Sequence, residues 1–397
     1  MTQSLTGLTV IDASRVLAGP YCGQMLGDHG AQVIKVESPE GDETRTFGPP
    51  VRDGSAAYFH ALNRNKRGIT LDMSGPQGRD VLWRLLETAD VLIENFKAST
   101  LRNWGIEDPS EICRRFPRLV HCRITGFGDD GPLGGLPGYD AAIQAMSGLM
   151  SVNGASEGPP LRMGVPVVDL ATGMQAAIAV LAALQERSRS GLGQMCDVAL
   201  YDCALSVTHP HLPNYAWSGK EPSRSGNAHP NIAPYDAFET ATCPVYIAVG
   251  NDRQFAMLCT LLDCPEVAAD PRFRRNVDRI AHRDELRQVL SRQLTHQDGQ
   301  AVASRLHEAG VPVAPVLGIA DVAASPHAKH REMFLERDGY RGTGFPVKLK
   351  RTPATLSRLP PGRGEHTHEV LREAGFSGEE IRELARCGAL GAAAGEP

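Results

Sequence analysis

The sequence of 397 residues lacks several signatures that would settle its chemistry quickly. It has no C-x-x-C pair, and its nine cysteines, an odd number, are scattered from Cys22 to Cys387. That pattern argues for free thiols rather than a disulfide framework or a zinc finger. The closest His and Cys groupings are His209 with His211, Cys259 with Cys264, and His366 with His368. None has a second pair at ligand spacing, so no metal is expected. No G-x-G-x-x-G follows the first strand-like run, and no G-x-x-x-x-G-K-[ST] occurs. Classical NAD and ATP sites are therefore disfavoured, although a nucleotide at a sheet switch point stays open as a fold-level expectation. No G-x-S-x-G elbow supports a hydrolase serine. Basic residues are not in excess: the net charge is -5, which argues against nucleic acid or an anionic membrane as the main partner. The longest strongly apolar run, Ala176–Leu184, is far short of the roughly 20 residues that span a bilayer. The N-terminus lacks the basic and apolar regions of a signal peptide, so a cytoplasmic or otherwise reducing location is expected.

What is present is an ordinary globular composition, 42% hydrophobic and 22% charged, over a length suited to about two or three domains. Strand-like and helix-like runs alternate from the N-terminus. "LTVIDAS", "AQVIKVES", "RGITLDM", "DVLIENF" and "RLVHCRIT" read as strands. "PYCGQMLGDHG" between the first two reads as a helix opening on Pro20 and closing on Gly30. "GPQGRDVLWRLLETA" places Val81, Leu82, Leu85 and Leu86 on one helical face. Such alternation implies an α/β fold with a parallel sheet. Residues 209–235, rich in Pro, Asn, Gly and His, read as a long loop. "PVYIAVGNDRQFAMLCTLL" and the charged helical stretch after it read as a second, smaller domain. Ser377 and Glu380 have the spacing of a capping box, with Phe376 and Ile381 as its staple. The tail from Gly388 to Pro397 is expected to be unstructured.

Three stretches carry candidate chemistry. "GFGDDGPLGGLPGYD" has six glycines in fifteen residues before Tyr139 and Asp140, and is either a surface loop with tight turns or the rim of a site. "NRNKRG", residues 63–68, is either a solvated turn or a contact for ligand phosphates. In "GVPVVDLATG" the single carboxylate, Asp169, stands at a helix start. It can serve as an N-cap, and an ionised, partly desolvated carboxylate there can also act as a nucleophile.

Taken in order, "GLTVIDASRVLAGPYCGQMLGDHGAQVIKVESPEGDETR", "YFHALNRNKRGITLDM", "ADVLIENF", "ITGFGDDGPLGGLPGYD", "GVPVVDLATG" and "GEHTHEVLREAGFSGEEI" resemble the class III CoA-transferases, the family of formyl-CoA:oxalate and carnitine CoA-transferases. The resemblance implies an interlocked, ring-like homodimer. It implies a Rossmann-like parallel-sheet large domain built from residues 1–224 and 321–397, and a smaller α+β domain over 225–320. It implies that Asp169 is the catalytic carboxylate, with Tyr139, Asp140 and a mobile loop at Gly250 beside it. A coenzyme A thioester is then a substrate, no cofactor is permanently bound, and a small carboxylic acid is the second substrate. Carried over by position, Val16, Leu71, Asn95 and Phe96 are expected to line the CoA site, and Lys97, Arg102, Asn103, Trp104 and Thr125 are added as candidates around it. Arg15, Leu17 and Arg45 face the substrate carboxylate, for which an Arg fork suits bidentate binding; the alternative for each Arg is a structural ion pair.

Departures from the formyl-CoA enzymes are visible. Leu17 stands where they have Gln, Asp140 where they have Glu, and Gly250 is followed by Asn251 and Asp252 instead of further glycines. Ser38, Ser74 and Asn103 replace basic CoA contacts, with Arg64, Lys66, Lys97 and Arg102 as neighbouring substitutes. These changes count against oxalate and formyl-CoA, and the text around "GYD", "VVDLATG" and "VGNDRQF" resembles the branch using succinyl-CoA and other dicarboxylic acids. The related α-methylacyl-CoA racemases use a His where this chain has Tyr139, and a phenol is a poor base at neutral pH. Racemase and non-catalytic CoA binder stay open as alternatives.

Overall fold

The computed structural model describes residues 2–391, which divide into two compact units. The larger takes the chain up to residue 147, then 164–207, then from 327 onward; the other takes 148–163 and 208–326. The smaller unit is thus longer than the 225–320 read from the sequence, and it includes a segment ahead of Asp169. Hydrogen bonds account for that segment: Arg224 donates to the carbonyls of Ser151, Ala155 and Gly158, and the Gly226 N–H donates to Gly154.

The larger unit holds six strands: β1 (Thr9–Asp12), β2 (Gln32–Glu37), β3 (Lys66–Thr70), β4 (Val91–Glu94), β5 (Val120–Thr125) and β6 (Met195–Ala199). All pair in parallel, in the order β3-β2-β1-β4-β5-β6. Val10, Ile11, Val33, Ile34, Val36 and Val91 to Ile93 are buried, the near-continuous apolar reading of strands covered on both faces. The order reverses between β1 and β4, the switch point at which ligands of open parallel sheets generally bind.

The helices that matter to the site are α1 (Ala18–Asp28), α2 (Ala57–Leu62), α3 (Pro76–Leu86), α4 (Ala98–Asn103), α5 (Asp140–Met146) and α6 (Val167–Ser190). α1 starts two residues earlier than its proline suggested, and Pro20 sits in the first turn, where its missing N–H has no partner to lose. Val81, Leu82, Leu85 and Leu86 of α3 are buried as the periodicity required. Among the described residues, α6 alone is long and apolar enough to cross a membrane, a length the nine-residue apolar run had understated. Its Val168, Thr172, Gly173, Ala176, Ala177, Val180 and Ala183 are buried, as in a core helix.

The capping box forms: the Ser377 hydroxyl accepts from the Glu380 N–H and the Glu380 carboxylate accepts from the Ser377 N–H. Phe376 and Ile381 share one apolar cluster. Part of the tail departs from expectation. Ala389 and Leu390 are buried, and their carbonyls accept from the Asp72 N–H and the Thr70 hydroxyl. Residues 392–397 of that tail lie outside the described residues.

The smaller unit has an antiparallel sheet of β7 (Tyr235–Phe238), β8 (Val245–Ala248) and β9 (Val313–Pro315), with β8 central. Helices Asp252–Leu261, Arg283–Leu294 and Gly299–Glu308 close a separate core around Phe238, Ile247, Phe255, Leu290 and Leu306. Within the stretch read as a loop, residues 211–218 form a helix, His211–Ser218. Its Pro213 lies in the first turn, where proline is tolerated.

Candidate active site

At the β1/β4 reversal the two loops expected at the CoA site meet. The Asn95 amide clamps the Arg15 peptide from both sides: Oδ1 accepts from the Arg15 N–H and Nδ2 donates to its carbonyl, each at 3.0 Å. Val16 follows at φ 70°, a left-handed conformation that a β-branched residue adopts only when its surroundings impose it. Leu17 is buried at the N-cap of α1. The Phe96 N–H donates to Glu94 Oε2 at 2.6 Å, and its ring meets Trp104 edge-on at 5.0 Å. Lys97, Arg102 and Asn103 are exposed on and beside α4. Thr125 ends β5, and its hydroxyl accepts from the Gly128 N–H at 2.8 Å. Leu71 departs from its expected place: it is completely buried in the apolar core under α3, so its side chain reaches no ligand.

The glycine-rich loop is pinched at its neck. A Cβ on Gly138 would stand 2.8 Å from the Gly126 Cα, and one on Gly126 would stand 2.7 Å from the Gly138 nitrogen. Only glycines allow the two ends to touch, and the contact delivers Tyr139 and Asp140 beside the start of α6. Residues 126–131 match the spacing G-x-G-x-x-G, but no helix follows them directly, so no anion-binding helix terminus is presented. Gly154–Gly158 matches G-x-S-x-G, but it lies in a bend with no strand before it, so Ser156 is on no elbow.

Asp169 is not the cap of its helix. It is the third residue of α6, whose N-cap position is Pro166. Asp140, distant in sequence, does the capping: its Oδ2 accepts from the Val168 N–H at 2.8 Å and the Asp169 N–H at 3.1 Å. Its Oδ1 accepts from Gln144 Nε2 at 2.5 Å, so both oxygens are engaged. Among the described residues no donor is hydrogen-bonded to the Asp169 carboxylate. Burial, and then the negative charge of Asp140, raise its pKa to about 7. Tyr139 is 63% exposed at the N-cap of α5. Gly250 is exposed in the smaller unit, its N–H donating to Gln254 Oε1 at 3.0 Å.

A residue that the sequence did not single out joins this group. Tyr58, on α2, packs edge-on against Phe47 at 5.6 Å. Its pKa is pushed up to about 12, by burial first and then by the charges of Asp169 and Asp140. Tyr58 is therefore a phenol that keeps its proton in the neutral range, within the field of the two carboxylates. Its only signal was membership in "YFHALNRNKRG"; no local spacing ties it to residues 82 and 111 positions away.

The cations need the largest corrections. Arg45 is not free for a substrate carboxylate. It forks onto Glu37 at 2.8 and 2.7 Å, donates to Ser55 Oγ and the Pro361 carbonyl, and lies 3.6 Å over the Phe59 ring. The structural ion pair is what the fold uses. Arg45→Ala is expected to strand the buried Glu37 charge and destabilise the protein by about 3–5 kcal/mol in urea unfolding. A loss below about 1 kcal/mol would remove this assignment. Arg64 forks onto Asp28, Lys66 pairs with Asp12, and Arg67 meets Glu369 and Glu373. "NRNKRG" is therefore neither a solvated turn nor a phosphate contact: these charges are neutralised inside the fold. Arg15 is the exception, with an exposed side chain 4.0 Å from Glu43.

A model of the CoA-transferase family III matches residues 5–367. The chain belongs to that family. It is 42% identical to succinate–glutarate CoA-transferase of Agrobacterium fabrum over 93% of this chain and 95% of that one. It is 39% identical to acetyl-CoA:oxalate CoA-transferase of Acetobacter aceti over 86% of this chain and 88% of the relative. Among solved structures, a CAIB/BAIF family protein from Brucella suis superposes with TM-score 0.84 at 42% identity, covering 94% of this chain and all of the other. The protein is thus an enzyme of the CoA-transferase type, which sets aside the racemase and the non-catalytic binder.

Proposed function

We propose that this family III enzyme moves CoA from succinyl-CoA to a small dicarboxylic acid through covalent intermediates on Asp169. The observation that carries this is the division of labour between two aspartates. Asp140 caps α6, and the Asp169 carboxylate is left half-buried and without a hydrogen-bonding partner. A desolvated carboxylate with a raised pKa is more nucleophilic once ionised.

An Asp169 oxygen attacks the thioester carbonyl, the C–S bond breaks, and CoA leaves as thiolate from a mixed anhydride. The thiolate then attacks the Asp169 carbonyl carbon, forming an enzyme–CoA thioester and releasing the first acid. The acceptor carboxylate attacks that thioester and expels the thiolate, which takes the acceptor acyl group and frees Asp169. The thioester's energy is retained through each exchange, so the cycle needs no ATP. Tyr58, protonated throughout the neutral range and in the field of both carboxylates, is our candidate donor to an oxyanion in this sequence. In our assignment CoA lies at the β1/β4 reversal, against Val16, Asn95 and Phe96, with Lys97, Arg102 and Arg15 as the available cations.

The dicarboxylate preference draws on the two relatives named for succinate with glutarate and for oxalate. We also assign the active form as a homodimer. Met174, Ile178 and Leu181 form an exposed apolar row on the outer face of α6, the kind of surface a second copy covers. A reducing compartment suits the nine free cysteines.

The test incubates the protein with succinyl-CoA and a panel of oxalate, glutarate and other short diacids. CoA should pass to at least one diacid, and hydroxylamine should inactivate the enzyme only when acyl-CoA is present, with the modification on Asp169. Transfer with no acyl-CoA-dependent modification of Asp169 would overturn the covalent route.

A further inference from the structure

Beneath the Ser14–Leu17 turn lies a cluster of charges that no step of the transfer uses. Asp12, Lys35 and Lys66 are completely buried, and Asp42 is 3% exposed. Lys66 Nζ donates to Asp12 Oδ2 at 2.8 Å, to the Pro20 carbonyl at 2.7 Å and to Asn63 Oδ1 at 2.9 Å. Lys35 Nζ donates to Asp42 Oδ2 at 2.9 Å and to the Ser14 carbonyl. Asp12 Oδ1 accepts from both the N–H and the hydroxyl of Ser14. Every polar group of Ser14 is therefore held by a buried charge, and Asn95 holds both polar groups of the Arg15 backbone. The strained residue, Val16, comes next.

α1 begins directly after this turn and is wedged between the ions and α6. A Cβ on Gly19 would meet Ser14 Oγ at 2.2 Å, and one on Gly23 would meet Asp12 Oδ2 at 2.8 Å. On the other side, a Cβ on Gly173 would meet the Ala18 carbonyl at 2.7 Å. Gly173 lies one helical turn beyond Asp169, so the chain of contacts runs from the buried lysines through α1 to the nucleophile's own helix. Stability alone gives little reason for such a cluster, because apolar residues of matching volume often serve a buried site as well or better.

We propose that Lys35, Asp42, Lys66 and Asp12 are positioning residues: they hold the turn from Ser14 to Ala18, and with it the approach to Asp169, in the geometry that the transfer requires. None of the four touches substrate. The inference rests on Asp169 being the nucleophile, and the test separates the two.

Lys35→Met combined with Asp42→Asn removes one ion pair at nearly constant volume and leaves an oxygen for the Thr44 N–H. The folded double variant should melt within about 5 °C of the parent protein. Its KM for succinyl-CoA should rise by a smaller factor than its kcat falls, since Val16 of the held turn also lies in the assigned CoA site. Its kcat should fall roughly 100-fold, with hydroxylamine trapping at Asp169 slowed in proportion. A kcat within about twofold of the parent overturns the inference. Should that pair not fold, Lys66→Met with Asp12→Asn is read by the same criteria; if neither folds, the cluster is required for folding and the positioning role falls. A parent protein that shows no transfer tells against the Asp169 reading, whereas active parent and equally active variants tell against positioning alone.

Discussion

Asp169→Asn is expected to lower kcat by about 10⁴-fold or more while leaving the fold at least as stable as the parent. The loss follows from chemistry: a carboxamide oxygen cannot form an anhydride that CoA thiolate then resolves. The retained stability follows from geometry, because α6 is capped by Asp140 and loses no hydrogen bond when Asp169 changes. Removing a half-buried carboxylate beside a like charge should raise the melting temperature by several degrees. Asp140→Ala has the opposite signature, since it strips the cap from α6. Steady-state transfer assays and thermal melts on purified variants check both. An Asp169→Asn protein that is unstable and inactive would make the residue a structural carboxylate.

The second large effect is on pH. With the Asp169 pKa raised to about 7, only the ionised fraction attacks, and kcat should fall roughly 50-fold from pH 7 to pH 5. Asp140→Asn removes the like charge, so the limb should move to lower pH. It should stay above the ordinary aspartate value of 3.8, because burial is the larger cause of the shift. A limb that does not move would dissociate the two carboxylates. Stability carries the same signature with a definite sign. The folded protein holds a proton on Asp169 that the unfolded chain releases near 3.8, so this group's contribution declines as pH rises from about 4 to about 7. The slope is at most about 1.4 kcal/mol per pH unit, and Asp169→Asn should abolish it.

The arrangement also bears on what family resemblance can carry over. Positions transferred from the family fell into two groups. Val16, Asn95 and Phe96 lie on the loops leaving β1 and β4, where the strand order reverses. Arg45 and Leu71, carried over in the same way, point instead into an ion pair and the apolar core. Position in a family-like segment therefore does not by itself free a side chain to meet a ligand.

The alternating strands and helices of the larger unit were legible because their signal is local. A buried run such as "VLIE" bounded by breakers, or Val81, Leu82, Leu85 and Leu86 at helical spacing, is decided by near neighbours in the chain. The capping box at Ser377 and Glu380 was legible for the same reason, since both partners lie within one turn. The His211–Ser218 helix was hidden by a turn-rich composition, and the ordered Ala389 and Leu390 by the small residues around them.

The sequence by itself determined the alternating α/β pattern, the family, and the identity of the carboxylate to suspect. Only the tertiary structure decided what that carboxylate is free to do. The cap of α6 comes from Asp140, the proton-holding phenol from Tyr58, and the neutralisation of Lys66 from Asp12, 54 residues away. Periodicity and propensity report on residues a few positions apart, whereas a buried charge must find its partner wherever packing brings one.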